Sequence, residues 1–135
     1  MLKKEMKQII IETLSQTLKP KFVLVFGSYA KGTARENSDL DIAYYSEVEF
    51  TDYERFLLAG ELSNKCNVEV ELIDINNIDT VFATQIYSTG ELLYCTDENL
   101  FIKERIKAYS MYVTLNEQRA VILEGIKERG SIYGE

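Results

Sequence analysis

Two patterns of hydrophobic residues follow one another at the start of the chain, and each predicts one type of secondary structure. From Leu2 to Leu18 apolar residues recur every three or four positions, which indicates an amphipathic helix that Pro20 ends. Residues 22–26 are then wholly apolar and rich in β-formers. Such a run is typical of a central strand covered on both faces, so a helix followed by a buried strand is expected.

The next segment predicts a short helix, a loop and a second strand. Residues 28–34 are small and polar, with Ser28 as the expected N-cap, and residues 35–38 indicate a loop. Residues 39–45 alternate between two faces. One face carries Leu40, Ile42 and Tyr44, and the other carries Asp39, Asp41 and Ala43. Both aspartates are therefore expected to project from the same face.

Residues 52–65 predict a third helix, and residues 68–75 predict a third strand with Glu71 in its middle. The helix is expected to bury Tyr53, Phe56, Leu57 and Leu62. The strand otherwise resembles a core strand, where a carboxylate is costly to bury without a partner. Two explanations of Glu71 stay open: an edge strand with a partly exposed face, or a carboxylate that serves a site.

The C-terminal part predicts a short helix over 78–87, a brief strand over 92–95 and a long charged helix over 99–128, ended by Gly130. The apolar residues of the long helix could dock a partner, although packing on the chain's own sheet is favoured. They are Tyr109, Tyr112, Leu115 and Ile122. Together the elements predict an α/β (α+β) fold, a small mixed β-sheet flanked by helices, in one domain over 1–135.

Composition and charge narrow the classes of function. Of 135 residues, 46% are hydrophobic and 27% charged, as in an ordinary globular protein. No apolar run is long enough to cross a bilayer or to resemble a signal peptide, so a cytoplasmic location without membrane contact is expected. The net charge of -7 has the wrong sign for binding the negatively charged backbone of a nucleic acid. Nucleic acid is therefore not an expected partner.

The cysteine and histidine content restricts the chemistry. Cys66 and Cys95 lack CxxC spacing, so neither a disulfide framework nor a zinc ribbon is indicated. The chain has no histidine. This excludes Ser-His and Cys-His nucleophile pairs, and any metal is expected to be held by oxygen.

Three groups of residues are candidates for a site. Gly27 and Ser28 turn a strand into a helix, which offers backbone N–H donors and a hydroxyl to a phosphate, although such a dipeptide commonly only caps the helix. Asp39 and Asp41 can share hard divalent cations, although isolated pairs of this kind are usually solvated. Glu71 would complete an all-oxygen site for two magnesium ions.

Residues 27–41 resemble the GSx10DxD signature of the polymerase-β-like nucleotidyltransferases, with full agreement in spacing. Within that superfamily, the short length and residues 70–74 resemble the minimal nucleotidyltransferases (MNT) encoded beside HEPN-domain toxins. The resemblance implies the polymerase-β-like fold and transfer of a nucleoside monophosphate, usually from ATP, to a hydroxyl with release of pyrophosphate. For MNT antitoxins the acceptor is a tyrosine of the toxin, which adenylylation silences.

The resemblance also implies a role for each candidate residue. Gly27 and Ser28 would hold the β- and γ-phosphates of ATP, and Asp39 and Asp41 would bind magnesium. Glu71 stands where the family usually has aspartate as its third carboxylate. Lys31 and Arg35 are candidates for contact with the triphosphate, with solvated loop charges as an equal explanation. The implied partners are ATP and a HEPN toxin, in a possible homo- or hetero-oligomer.

Two further functions stay open. One is an antitoxin with a weakened site that neutralises its partner by binding alone, for which Glu71 in place of aspartate is the best support. The other is a small-molecule nucleotidyltransferase of the aminoglycoside-modifying kind. Those enzymes usually carry a further helical domain, for which 135 residues leave little room.

Overall fold

The computed structural model describes residues 2–35 and 37–128. Every helix and strand that the sequence predicts is present, with ends shifted by a few residues. The helices are α1 (Lys4–Thr17), α2 (Ser28–Lys31), α3 (Asp52–Cys66), α4 (Thr80–Thr89) and α5 (Glu98–Glu128), and a short 3-10 helix spans Ile75–Asn77. The strands are β1 (Phe22–Phe26), β2 (Leu40–Tyr45), β3 (Val70–Asp74) and β4 (Glu91–Cys95). The expected helix end at Gly130 lies outside the described residues.

The four strands form one mixed sheet in the order β3-β2-β1-β4. β1 pairs antiparallel with β2 and with β4, and β2 pairs parallel with β3. The wholly apolar β1 is therefore a central strand, as predicted. β3 lies at the edge of the sheet and exposes Glu71, which is the arrangement that the first explanation of Glu71 requires.

The sheet separates two hydrophobic cores. On one face α1 and α3 pack over residues such as Val25 and Ile42. On the other face α4 and the first half of α5 pack around Phe22. The ring of Phe22 lies 5.1 Å from that of Tyr45 and 5.0 Å from that of Phe101, measured between centroids. Because both faces are covered, the sheet is held rigidly beneath the strand ends that carry the candidate site.

The prediction for α3 is wrong at three positions. Tyr53, Phe56 and Leu57 are 69%, 72% and 52% exposed, whereas Leu58 and Leu62 face the core. Leu58 and Leu62 lie one turn apart on the side that packs against β3 and α1. Only Leu62 is buried as expected, and α3 leaves an aromatic surface in contact with solvent.

α5 packs on α4, and the residues that it adds to the second core lie in its first half. Tyr109 is half-buried against the second core, so packing on the chain's own domain is right for this residue. It is wrong for Ile122, which is 61% exposed beside the exposed Val121 and Leu123. Within residues 2–35 and 37–128, no helix has both the length and the apolar character needed to cross a membrane.

Candidate active site

β1 ends in a turn that requires glycine. Gly27 adopts φ +72° and ψ -149°, a backbone region open essentially to glycine alone. A Cβ on Gly27 would also overlap the Oδ2 atom of Asp41. Gly27, and not Ser28 as predicted, is the N-cap of α2, and no side chain caps this helix. The Ser28 hydroxyl is therefore not engaged in capping.

Residues from three strands lie side by side at this end of the sheet. The register pairs Phe26 of β1 with Asp41 of β2, and Asp41 with Glu71 of β3. Paired residues project from the same face of neighbouring strands about 4.8 Å apart. Asp41 and Glu71 are therefore lateral neighbours, and Asp39 lies just before β2. We call the two carboxylates, Asp41 and Glu71, together with the adjacent Phe26, the carboxylate row.

The electrostatics of the row favour a bound cation. The pKa of the half-buried Asp41 rises from 3.8 to about 6. Burial is the largest cause, followed by the charge of Glu71, the contact between the two carboxyl groups, and the charge of Asp39. Clustered negative charge of this kind is relieved by a cation.

These residues fit magnesium through their chemistry rather than as a preformed cage. Carboxylate oxygens are the ligands that Mg²⁺ prefers, and Asp39, Asp41 and Glu71 supply only oxygen. Within the described residues, no three His, Cys, Asp or Glu side chains are already gathered as a metal cluster. Asp39 and Glu71 are both exposed, so the side chains nearest Asp41 are not locked by packing.

The two candidate basic residues lie close to the turn in sequence. Lys31 ends α2, Arg35 lies in the following loop, and both are exposed. The loop is closed by Ser38, whose Oγ accepts from the Arg35 backbone N–H at 2.7 Å. Neither cation takes part in the ion pairs found among residues 2–35 and 37–128. With respect to the described residues, both charges are therefore available to an anionic ligand.

Aromatic residues to which the sequence pattern assigns no part in the site border the row. The ring of Phe82 in α4 meets that of Phe26 edge-on, with centroids 5.7 Å apart. On the other side of β3, a groove of about 240 Å³ is lined by Arg55, Phe56 and Glu71, among others. In the sequence, the only signal for this aromatic surface is the presence of aromatic residues in α3. Helical spacing assigned these residues to the core instead.

Comparison with known proteins agrees with this geometry and confirms the expected fold. The model of the family described as "Polymerase beta, Nucleotidyltransferase" matches residues 8–99. The chain is 32% identical over 120 residues to the protein adenylyltransferase MntA of Shewanella oneidensis, which covers 87% of this chain and 84% of that protein.

Two solved structures are also similar. One is a crystal structure of a toxin-antitoxin with AMP-PNP, at a TM-score of 0.78 and 31% identity over 90% of this chain and 98% of that chain. The other is a complex of tri-AMPylated Shewanella oneidensis HEPN toxin with MNT antitoxin, at a TM-score of 0.71 and 28% identity over 90% of this chain and 96% of that chain. The chain therefore belongs to the polymerase-β nucleotidyltransferase family.

Proposed function

We propose that this chain transfers AMP from ATP to a tyrosine hydroxyl of a HEPN-domain toxin and so acts as its antitoxin. The observation that carries the proposal is the contact of the Gly27 turn with Asp41, itself paired with Glu71. A relative named as a protein adenylyltransferase supports AMP as the group transferred. Similar structures with AMP-PNP and with an AMPylated HEPN toxin support ATP and the acceptor class. We place the reaction in the cytoplasm.

In this proposal the turn after β1 binds the triphosphate. The first N–H groups of a helix have no partner within it, so those that begin α2 can donate to phosphate oxygens together with the Ser28 hydroxyl. The absent side chain of Gly27 lets the Asp41 carboxylate lie directly against the turn that receives the phosphates. Lys31 and Arg35 add positive charge on the same segment.

Asp39, Asp41 and Glu71 would hold magnesium, with two ions expected. Bound magnesium would neutralise charge on the reacting phosphates and lower the pKa of the acceptor hydroxyl. Glu71 can accept the proton of the acceptor hydroxyl, since it is exposed on the edge strand and the chain has no histidine to serve as a base.

The transfer is a displacement at the α-phosphorus. The tyrosine oxygen forms a bond to that phosphorus, and the bond from it to the bridging oxygen of the β-phosphate breaks. Pyrophosphate leaves with the bonding electron pair, and the hydroxyl proton passes to Glu71 or to solvent. The products are an AMP-tyrosine ester and pyrophosphate.

Mass spectrometry of the acceptor tests the proposal. Incubation of the cognate HEPN-domain toxin with the chain, ATP and magnesium should add AMP to a tyrosine. Glu71→Gln keeps the shape of the side chain and removes its charge, so transfer should slow by about 10² or more while the complex persists. Glu69→Gln, at an exposed position outside the carboxylate row, is the matched control and should keep the parent rate. An adduct that forms equally fast with Glu71→Gln would contradict the role of Glu71.

An antitoxin that acts by binding alone is the second candidate. Glutamate at position 71, where the family usually has aspartate, favours it. This candidate predicts no AMP adduct and full neutralisation of the toxin by Glu71→Gln. The relatives found give no support to a small-molecule acceptor.

A further inference from the structure

β3 presents an open edge beside the carboxylate row. It is one of the two outermost strands, and the Leu40 N–H donates to the Glu69 carbonyl at 2.8 Å. In a parallel ladder this bond turns the backbone groups of residue 71 toward β2 and those of Val70 and Leu72 away from it. The Val70 N–H is taken by Ser63 Oγ at 2.9 Å. Among the described strands, none faces the N–H and carbonyl of Leu72.

The carboxylate row ends at this edge. Phe26, Asp41 and Glu71 are paired across three strands. A strand added beside β3 would place one residue next in the row, on the face of Glu71, with Cβ atoms about 4.5–5.5 Å apart. If the added strand is antiparallel and bonds Leu72, Glu71 takes a non-hydrogen-bonded position, where opposed side chains approach most closely. A tyrosine at that position reaches the carboxylates of the row.

α3 forms a wall along the other side of the same edge. The groove between α3 and β3 is lined by Arg55, Phe56, Ala59 and Leu72. Phe56 is 72% exposed, and Tyr53, one turn earlier, is 69% exposed. Because side chains of a strand alternate, a strand seated on β3 would turn every second side chain toward this aromatic wall.

Arg55 belongs to this wall and connects it to the sheet. Its Nη2 pairs with Asp52, and its guanidinium also interacts with the hydroxyl of Tyr44, a buried residue of β2. Arg55 is therefore engaged within the fold, and it holds α3 beside the sheet.

We propose that the open edge of β3 and the α3 wall form the docking surface for the acceptor protein. An extended segment of the acceptor adds as a strand beside β3, with its tyrosine next to Glu71 and its alternate side chains against Phe56. This inference rests on the proposed function for the identity of the acceptor. The rival surface is the distal half of α5, where the groove lined by Thr114, Glu117 and Val121 contains no residue of the carboxylate row.

Substitution of the two aromatic residues tests the docking surface without touching the carboxylates. Tyr53→Ser with Phe56→Ser should lower kcat/KM for the HEPN-domain acceptor by about tenfold or more, with Kd for ATP and magnesium unchanged. Val121→Ser with Ile122→Ser removes similarly exposed apolar residues from α5 and should leave kcat/KM unchanged. Parent-like kcat/KM in the α3 variant overturns the docking proposal, and so does a loss confined to the α5 variant.

Hydrogen exchange separates failure of this inference from failure of the proposed function. Addition of the HEPN-domain protein, without ATP, should slow exchange of the Leu72 amide by about tenfold or more, because the added strand accepts its hydrogen. If the parent chain transfers no AMP, the proposed function fails. Slowed exchange at Leu72 then still supports docking at β3, and unchanged exchange overturns it.

Discussion

Gly27 and Asp41 share one space: the volume that a Cβ on residue 27 would occupy holds the Oδ2 atom of the Asp41 carboxylate. The turn that ends β1 and the aspartate of β2 are therefore packed as a unit. The residues proposed to meet the phosphates and the cation are in contact before either ligand binds. This preorganisation limits the reorganisation that substrate binding requires.

Replacement of Gly27 by alanine should damage both stability and activity. Gly32→Ala is the control for an added Cβ without an overlap: Gly32 also has φ +72°, but its ψ of 18° places it in the left-handed α region, and a Cβ added there would meet no atom within 4 Å. The control should cost about 1 kcal/mol of unfolding free energy from backbone strain alone. Gly27→Ala should cost more, because its backbone region is open essentially to glycine alone, and it should slow AMP transfer by about 10² or more, because Asp41 must move. Urea denaturation and initial rates measure the two effects, and equal rates of AMP transfer in the two variants would contradict the role of the contact.

Asp41→Asn should stabilise the metal-free protein at neutral pH. The pKa of Asp41 is about 6 in the folded chain against an ordinary 3.8. Since the pKa in the folded chain is the higher one, protonated Asp41 stabilises the parent fold. This contribution is fully present below the ordinary pKa and is lost as pH rises through about 6. In EDTA the variant should be more stable than the parent at neutral pH, because it lacks the half-buried negative charge. The expected difference is only about 1 kcal/mol, because water screens the half-exposed group. Urea denaturation across this pH range checks it, and a difference independent of pH would contradict the assignment.

Ser28→Ala should weaken binding of ATP more than binding of AMP. A hydrogen bond to a charged group contributes roughly 1.5 to 3 kcal/mol, so a loss of about tenfold or more is expected for ATP. Thr33→Ala is the control, since its exposed hydroxyl on the same segment donates instead to the Ser28 carbonyl at 3.5 Å. Calorimetric titration with both nucleotides measures the effect. Equal losses for ATP and AMP would place the Ser28 hydroxyl away from the outer phosphates.

Ser63→Ala should destabilise the edge of the sheet. The Ser63 hydroxyl accepts from the Val70 N–H at 2.9 Å and donates to the Ala59 carbonyl at 2.9 Å. Loss of the acceptor leaves a half-buried N–H without a partner, which should cost about 1–2 kcal/mol. Thr114→Ala removes an exposed hydroxyl bonded only to its own helix and should cost less than about 0.5 kcal/mol. Thermal unfolding of the two variants tests this, and similar losses in both would contradict a special role for Ser63.

The local parts of the site were predictable from the sequence. Gly27, Ser28 and Asp41 stand at fixed spacing within one segment, and the alternation over 39–45 places Asp39 and Asp41 on one face. The apolar run of β1 likewise predicts its central position, which the sheet order confirms. Their assigned roles stay predictions for the experiments above.

Features that depend on distant pairing were not predictable. The parallel register that sets Glu71 opposite Asp41 is a contact between separate segments, and no local pattern encodes it. For α3, the sets Tyr53-Phe56-Leu57 and Leu58-Leu62 both fit helical spacing. Packing against α1 and β3 selects the second set. The open aromatic surface beside Glu71 follows from that selection.

The position of β4 has a consequence for how the chain is made. β1 pairs with β4, so the strand of this sheet that is synthesised earliest has one edge unpaired until β4 has been synthesised. Contacts between such distant segments form slowly, because the chain must close a long loop first. An all-apolar strand with an open edge invites association with other chains. A nascent or truncated chain that stops before Glu91 thus carries its most aggregation-prone segment uncovered, and synthesis of β4 ends that period of risk.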